Sequence, residues 1–312
     1  MRKTRKERMA AKIPAQLTKN PKLVQLNKLN YDPEIFKTMS TCTVVDEFFS
    51  TKHGIPRACN FILIGDPGVG KTTVALDVVC NTKRDGAKAL FISAEMNDID
   101  MYEYMERFPK FGEIDILFLG DYVDENPKLV IEQVLQKGYD IVLGDSFAEI
   151  IAEIQETCFM SEKSAEKWLI DLMCKHNKAD NDLKKYTTFI MIQQMTKGGK
   201  FVGSNKLKHN TTGMLEIRFD GSSDNAPRYI EFSKNRRGTV NKKLYFTLDK
   251  QNDVNYLEDK WHAEEENRSR MENELEALQK EAEDFDRLLF DNEDEEGELH
   301  PIEETAETAE TV

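Results

Sequence analysis

Along residues 59–195, short continuous apolar runs alternate with stretches whose apolar positions recur every three or four residues. Phe61-Ile62-Leu63-Ile64, Ala89-Leu90-Phe91-Ile92, Ile114 to Leu119, Ile141-Val142-Leu143 and Thr188 to Ile192 read as strands. Between them, 71–82, 98–108, 127–137 and 161–176 read as helices; Val74, Val78 and Val79 share one face of the first. Buried strands separated by amphipathic helices predict an α/β fold with a mostly parallel sheet covered on both faces. After residue 213 the period changes to two, in 214–219, 229–232 and 244–248. That alternation predicts an antiparallel extension of the sheet. Residues 262–290 are helical in pattern, and Met271, Leu275, Leu278, Ala282, Phe285 and Leu289 step by 4, 3, 4, 3, 4. This is a heptad seam of fewer than three repeats, suited to packing on the core, on a neighbour or in a short coiled coil.

Charge divides the chain further. Residues 1–28 carry nine Lys/Arg against Glu7, whereas 258–312 carry 22 acids against five bases, so the net charge of −14 describes no single surface. The predicted organisation is a basic arm or linker over 1–40, a core over 41–257, an acidic helix over 258–290 and a disordered acidic tail over 291–312. Five cysteines, odd in number and without a Cys-x-x-Cys pair, argue against disulfides and zinc and fit small buried hydrophobes in a reducing cytosol. No apolar run approaches a membrane span and no signal peptide is legible, so a cytoplasmic protein without a membrane partner is expected.

The chemistry concentrates at residues 65–73: Gly65, Asp66, Pro67, Gly68, Val69, Gly70, Lys71, Thr72 and Thr73. A glycine-rich loop between a strand and a helix curls its N–H groups around phosphate oxygens, predicting an ATP site. Lys71 would reach the β- and γ-phosphates, and Thr72 would hold Mg²⁺. Asp145 ends the strand 141–144 and suits the metal's shell; the alternative is an N-cap for the next helix. Glu95 ends the strand 90–94 and suits the base that activates water; the alternative is a surface glutamate. Strand C-termini gather beside the crevice of an open parallel sheet, so both carboxylates can face the γ-phosphate.

With these residues in place the chain resembles the RecA-like ATPase core, and within it the bacterial RadA (Sms) DNA-repair ATPases. The likeness spans about residues 40–250. It rests on the loop at 65–73, on 91–96 (Phe-Ile-Ser-Ala-Glu-Met) and on 142–146 (Val-Leu-Gly-Asp-Ser). Met195-Thr196-Lys197-Gly198-Gly199 and Lys234-Asn235-Arg236-Arg237-Gly238 complete it. The resemblance implies that Lys234 and Arg236 act as fingers in a neighbour's ATP site, within a homo-oligomeric ring or filament. It also implies that Gln194, or the adjacent Gln193, senses the γ-phosphate. Residues 196–212 become a basic loop, with Lys197, Lys200, Lys206 and Lys208 on single-stranded DNA. The segment 147–164 would be a second DNA loop by position, but its glutamates suit nucleic acid poorly. The family's four-cysteine zinc finger and Lon-like domain have no counterpart in the sequence.

The function so implied is an ATP-hydrolysing, DNA-dependent motor of helicase or branch-migration type, acting in recombination, repair or replication. A filament-forming recombinase and a RecA-like ATPase with a protein partner are the alternatives. The acidic tail would solubilise, compete with DNA or recruit a protein.

Overall fold

The structure is a computed structural model that describes residues 23–122, 124–179, 185–194, 205–221, 226–248 and 253–295. The chain divides into two units, Met1–Lys37 and Thr38–Val312. In the first, two 3-10 turns, Leu26–Lys28 and Pro33–Phe36, present Leu23, Leu26, Tyr31 and Phe36 to solvent. Asp32 caps the second turn through the Glu34 N–H at 3.0 Å, and Tyr31 meets Phe36 edge to face.

The second unit is built on a nine-stranded sheet. In chain order the elements are β1 (Thr38–Met39), α1 (Val45–Phe49), β2 (Ile55–Pro56), β3 (Asn60–Gly65), α2 (Lys71–Asn81), β4 (Ala89–Ser93), α3 (Asp98–Arg107) and β5 (Asp115–Phe118). There follow α4 (Pro127–Leu135), β6 (Ile141–Asp145), α5 (Phe147–Thr157), α6 (Glu162–Asn177), β7 (Thr188–Gln194) and α7 (Asn205–Asn210). The chain then forms β8 (Gly213–Phe219), β9 (Arg228–Asn235), β10 (Lys243–Leu248), β11 (Val254–Tyr256) and α8 (Glu258–Glu295). The sheet order is β11-β10-β9-β8-β3-β7-β6-β4-β5, and β1 pairs separately with β2.

All six residues of β3 are buried, as a strand covered on both faces requires. Phe61 and Leu63 face α1, α2 and α3, while Ile62 and Ile64 face α4, α5 and α6. Period-two alternation in one apolar run therefore feeds two hydrophobic cores. On the first face Phe48, Phe49, Phe61, Phe232 and Trp261 form an aromatic cluster, with Phe48 stacked on Phe232 at 4.9 Å. It ties α1, β3, β9 and the first turn of α8 together.

Several expectations change. The predicted antiparallel extension is present, with β8, β9 and β10 pairing antiparallel in turn, but β8 joins the core by pairing parallel with β3, so the reversal begins at β9. Period two reports one polar face, not strand direction, so the parallel junction between β3 and β8 was not legible. Residues 147–164 are not a loop: α5 and the start of α6 occupy them, with Ile150, Ile151 and Ile154 in the core. The heptad seam does not pack on the core, since Met271, Leu275, Leu278 and Phe285 are 57–68% exposed. Among the described residues of α8 it is the first turns that dock, through buried Trp261, whose indole N–H donates to Glu47 at 2.9 Å, and through the Lys242–Glu265 pair. Cys59 and Cys80 are buried, Cys158 and Cys174 are half-buried, and Cys42 is exposed, so the small-hydrophobe reading fails for Cys42. No helix among the described residues is long and apolar enough to cross a membrane.

Candidate nucleotide site

The P-loop follows β3 and caps α2. Gly68 and Gly70 take positive φ values of 77° and 97°, where a Cβ is strained. Gly65 is required for a different reason: a Cβ there would sit 2.6 Å from the carbonyl oxygen of Ile217 on β8. Beneath the loop Val69 is fully buried, and the helix that follows has nine consecutive buried residues, Thr73 to Asn81. Its buried Asp77 pairs with Lys110 at 2.5 Å and accepts from the Tyr256 hydroxyl at 2.9 Å and the Asn81 amide at 3.1 Å. Those bonds fasten the loop's helix to β11 and to the 3-10 turn Pro109–Glu113.

Register brings four strand ends together. Gly65 lies opposite Gln194 across β3 and β7, and Ser93 lies opposite Asp145 across β4 and β6. The Ala94 N–H donates to the Asp145 carbonyl at 2.8 Å, and the Ser93 hydroxyl donates to the Met96 carbonyl at 2.8 Å. This turn carries Glu95 out beside Asp145. The Gln194 amide donates to Glu95 Oε1 at 3.0 Å. Gln193, the alternative to Gln194, is buried toward the other face with Phe147 and Glu166. Asp145 does not cap α5: Ser146 does, accepting from the Glu149 N–H at 3.4 Å. The Asp145 carboxylate instead accepts the Thr72 hydroxyl at 2.6 Å.

These side chains border a cavity of about 550 Å³, whose wall also includes Tyr104, Arg107, Ile192, Arg228 and Leu248. Burial pushes the Asp145 carboxyl up to about 6, against the Thr72 hydrogen bond; Glu95 raises it further and Lys71 lowers it. Burial also lowers the Lys71 ammonium, although Asp145, Glu95 and Asp66 oppose the shift. The ammonium donates to the carbonyls of Gly65 and Asp66 at 2.9 and 3.0 Å. The site is therefore a part-desolvated pocket in which Lys71, Asp145 and Glu95 meet beside a helix N-terminus, with Arg107 and Arg228 in its wall.

Its donor set fits a nucleotide and Mg²⁺. Gly68 has open space where a Cβ would stand, leaving the loop's backbone free to approach a phosphate. Among the described residues no group of three His, Cys, Asp or Glu side chains is placed to hold a metal ion. A Mg²⁺ here would be held by Thr72 and Asp145 with phosphate oxygens and water, the usual economy of protein ligands for this ion.

Lys234 and Arg236 are not in this cavity. Asn235 pairs with Gly213, itself opposite Phe61, so the turn lies at the sheet edge where β3 begins. The P-loop leaves the other edge, at Gly65, about 13 Å further along at roughly 3.3 Å per residue. The Lys234 ammonium donates to the Thr211 carbonyl at 2.7 Å and the Arg236 guanidinium to the His209 carbonyl at 3.2 Å. Asn235 shapes the turn: its amide donates to the Phe49 carbonyl at 3.1 Å, and its oxygen accepts the Arg237 N–H at 2.9 Å. A Cβ at Gly238 would sit 3.0 Å from that same Phe49 oxygen. Lys197 and Lys200 fall outside the described residues. Lys206 and Lys208 lie on α7, and their side chains are outside the description. Tyr104, Arg107, Arg228 and Leu248 were not legible as site residues, because they sit on elements remote in sequence and belong to no motif.

A P-loop at the end of a central parallel strand, with acids on the strands beyond, defines a nucleotide-binding RecA-like fold. A protein-family profile described as "ATPase: KaiC" matches residues 40–260, and the chain belongs to that family. It is 26% identical over 195 residues to the DNA repair protein RadA of Campylobacter jejuni, covering 62% of this chain and 41% of that one. The corresponding values for RadA of Mycobacterium tuberculosis are 25% over 197 residues, 62% and 38%. For the plasmid-borne RecA of Lactococcus lactis they are 26% over 190 residues, 61% and 54%. The matched region thus spans about two fifths to one half of these relatives. Among solved structures, the KaiC-like protein PH0186 of Pyrococcus horikoshii shares the fold at a TM-score of 0.54 and 18% identity, over 71% of this chain and 99% of that one.

Proposed function

We propose that the chain is a Mg²⁺-dependent ATP hydrolase that works as a homo-oligomer and couples hydrolysis to movement on single-stranded DNA. The observation that carries the reading is the 3.0 Å hydrogen bond from Gln194 to Glu95. It ties a carboxylate at the cavity to the last residue of β7, and the Lys-rich segment from 195 onward continues directly from that residue. Bound MgATP supplies the phosphoryl group and the metal's neutralising charge. Lys71 exchanges the Gly65 and Asp66 carbonyls for the β- and γ-phosphates. Thr72 and Asp145 hold the metal, and Glu95 orients water and accepts its proton. Gln194 fixes the Glu95 carboxylate and shifts when the phosphate end changes, passing that shift along the chain toward Lys197, Lys200, Lys206 and Lys208. Lys234 and Arg236, on the far edge of the sheet, serve the site of the next subunit, where added positive charge stabilises the departing phosphate. The names of the RadA and RecA relatives support a DNA substrate.

The test is ATP hydrolysis by wild type, Lys71→Ala and Glu95→Gln, each with and without single-stranded DNA. Wild type should hydrolyse ATP faster with DNA, and Lys71→Ala should be inactive. Glu95→Gln should lose about 10²-fold or more in kcat while still binding nucleotide. No hydrolysis by wild type under either condition would overturn the reading. Hydrolysis indifferent to DNA would favour a second reading, an ATPase that acts on a protein partner. The exposed apolar seam of the acidic helix α8 supports that alternative.

A further inference from the structure

We infer that Arg228 is a nucleotide-binding residue that meets the α- and β-phosphates, the part that ATP and ADP share. The inference rests on the ATP reading of the cavity and extends it to a residue outside every motif. Arg228 opens β9 and borders the cavity. Strand order places it to one side of the P-loop strand, beyond β8, whereas Gln194, Asp145 and Glu95 follow β7, β6 and β4 on the opposite side. The metal and γ-phosphate belong to the carboxylate side. The remainder of the diphosphate, which lies over the N-terminus of α2, therefore extends toward Arg228.

Its electrostatic state points the same way. The Arg228 Nε is buried and has no hydrogen-bond partner. Among the described residues no carboxylate pairs with this guanidinium, while Arg218 has Glu216 and Arg57 has Asp140. Its one contact of note is the face of Phe219, 5.0 Å from the guanidinium carbon. Burial alone lowers its pKa. A part-buried cation with an unmet Nε donor is costly unless an anion arrives, and the planar guanidinium is the side chain best shaped for phosphate. Leu248 completes this wall: it lies so close over Gly70 that a Cβ there would be 2.6 Å from Leu248 Cδ1. Leu248 thereby screens one side of the phosphate contact from water, and a charge-assisted hydrogen bond is stronger where water is excluded.

This makes an unusual joint expectation. Removing the charge should weaken nucleotide binding without destabilising the empty protein, because the uncompensated desolvation disappears with it. Full-length wild type, R228Q and R228K are compared by competition against a fluorescent ADP analogue, with ADP and MgATP as competitors. Melting temperatures are measured without nucleotide. R228Q should weaken ADP and MgATP by a similar factor, about tenfold or more on the scale of a lost charge-assisted hydrogen bond. R228K should fall between, and nucleotide-free R228Q should melt at or above wild type. Unchanged ADP affinity would overturn the inference, as would a loss confined to MgATP. Equal affinity losses in R228Q and R228K with a lowered melting point in both would also overturn it, by showing a structural role. Wild type that binds neither nucleotide would overturn this inference and the ATPase reading together; R228Q equal to a binding wild type overturns this one alone.

Discussion

Asp145→Asn should make the nucleotide-free protein more stable and the enzyme inactive. Asp145 is 3% exposed, its carboxylate accepts the Thr72 hydroxyl at 2.6 Å, and burial lifts its pKa from 3.8 to about 6. The native chain therefore holds a proton between about pH 4 and pH 6 that the unfolded chain releases. For a carboxyl raised on folding, stability increases as pH falls through 6 and levels off below about 4. Above pH 6 the ionised group instead opposes folding, and two pKa units at 1.36 kcal/mol each amount to about 3 kcal/mol. Asparagine keeps the shape and can still accept the Thr72 hydroxyl, but carries no charge. Urea unfolding of wild type and Asp145→Asn across pH 4–8 measures the difference. The variant should gain up to about 3 kcal/mol at pH 8 and nothing at pH 4, and its ATP hydrolysis should fall by two orders of magnitude or more as the proposed metal ligand disappears. MgATP should stabilise wild type much more than the variant, since the metal supplies the missing counter-charge. A variant less stable than wild type at pH 8, or a difference that does not change with pH, would refute the claim that burial governs this carboxylate.

Three further outcomes are expected. Gly65→Ala places a methyl 2.6 Å from the Ile217 carbonyl on the adjacent strand, so it should cost about 1–3 kcal/mol and weaken ADP binding; an unchanged urea midpoint would count against this packing. Asp140 is buried, bound by Arg57 at 2.7 Å, by the Lys88 N–H at 2.9 Å and by Lys185 at 3.1 Å. Burial would raise its pKa, but these partners hold it below the ordinary value, so its contribution is present at neutral pH and is lost as pH falls through the native pKa. Asp140→Ala should cost roughly 2–4 kcal/mol at pH 7, somewhat under a fully buried pair because Lys185 is part-solvated, and less in acid; a cost independent of pH would point to packing instead. Mixing inactive Lys71→Ala with Arg236→Ala should restore ATP hydrolysis, because each brings what the other lacks to the proposed shared site; no recovery in a mixed oligomer would remove the neighbouring-subunit role of Arg236.

What the sequence determined by itself was whatever local periodicity and covalent neighbourhood control. Gly65 to Thr73 had to form a loop between strand and helix. Glu95 and Asp145 had to end apolar strands, and parallel strands bring such ends to one crevice. The sheet, its two cores, and the loop and two carboxylates of the cavity followed from those patterns. Strand order and direction were another matter. Period two cannot distinguish a parallel β8 from an antiparallel one, and only pairing with β3 decides it. The same pairing sends the Lys234–Arg236 turn to the edge opposite the P-loop, which no spacing along the chain reveals. Arg228, Tyr104 and Leu248 reach the cavity from β9, α3 and β10, elements separated in sequence and joined only by packing. Whether the seam of α8 met the core also depended on where Trp261 anchored the helix. The P-loop was readable because its chemistry is contiguous; the walls around it were not, because they are assembled from across the fold.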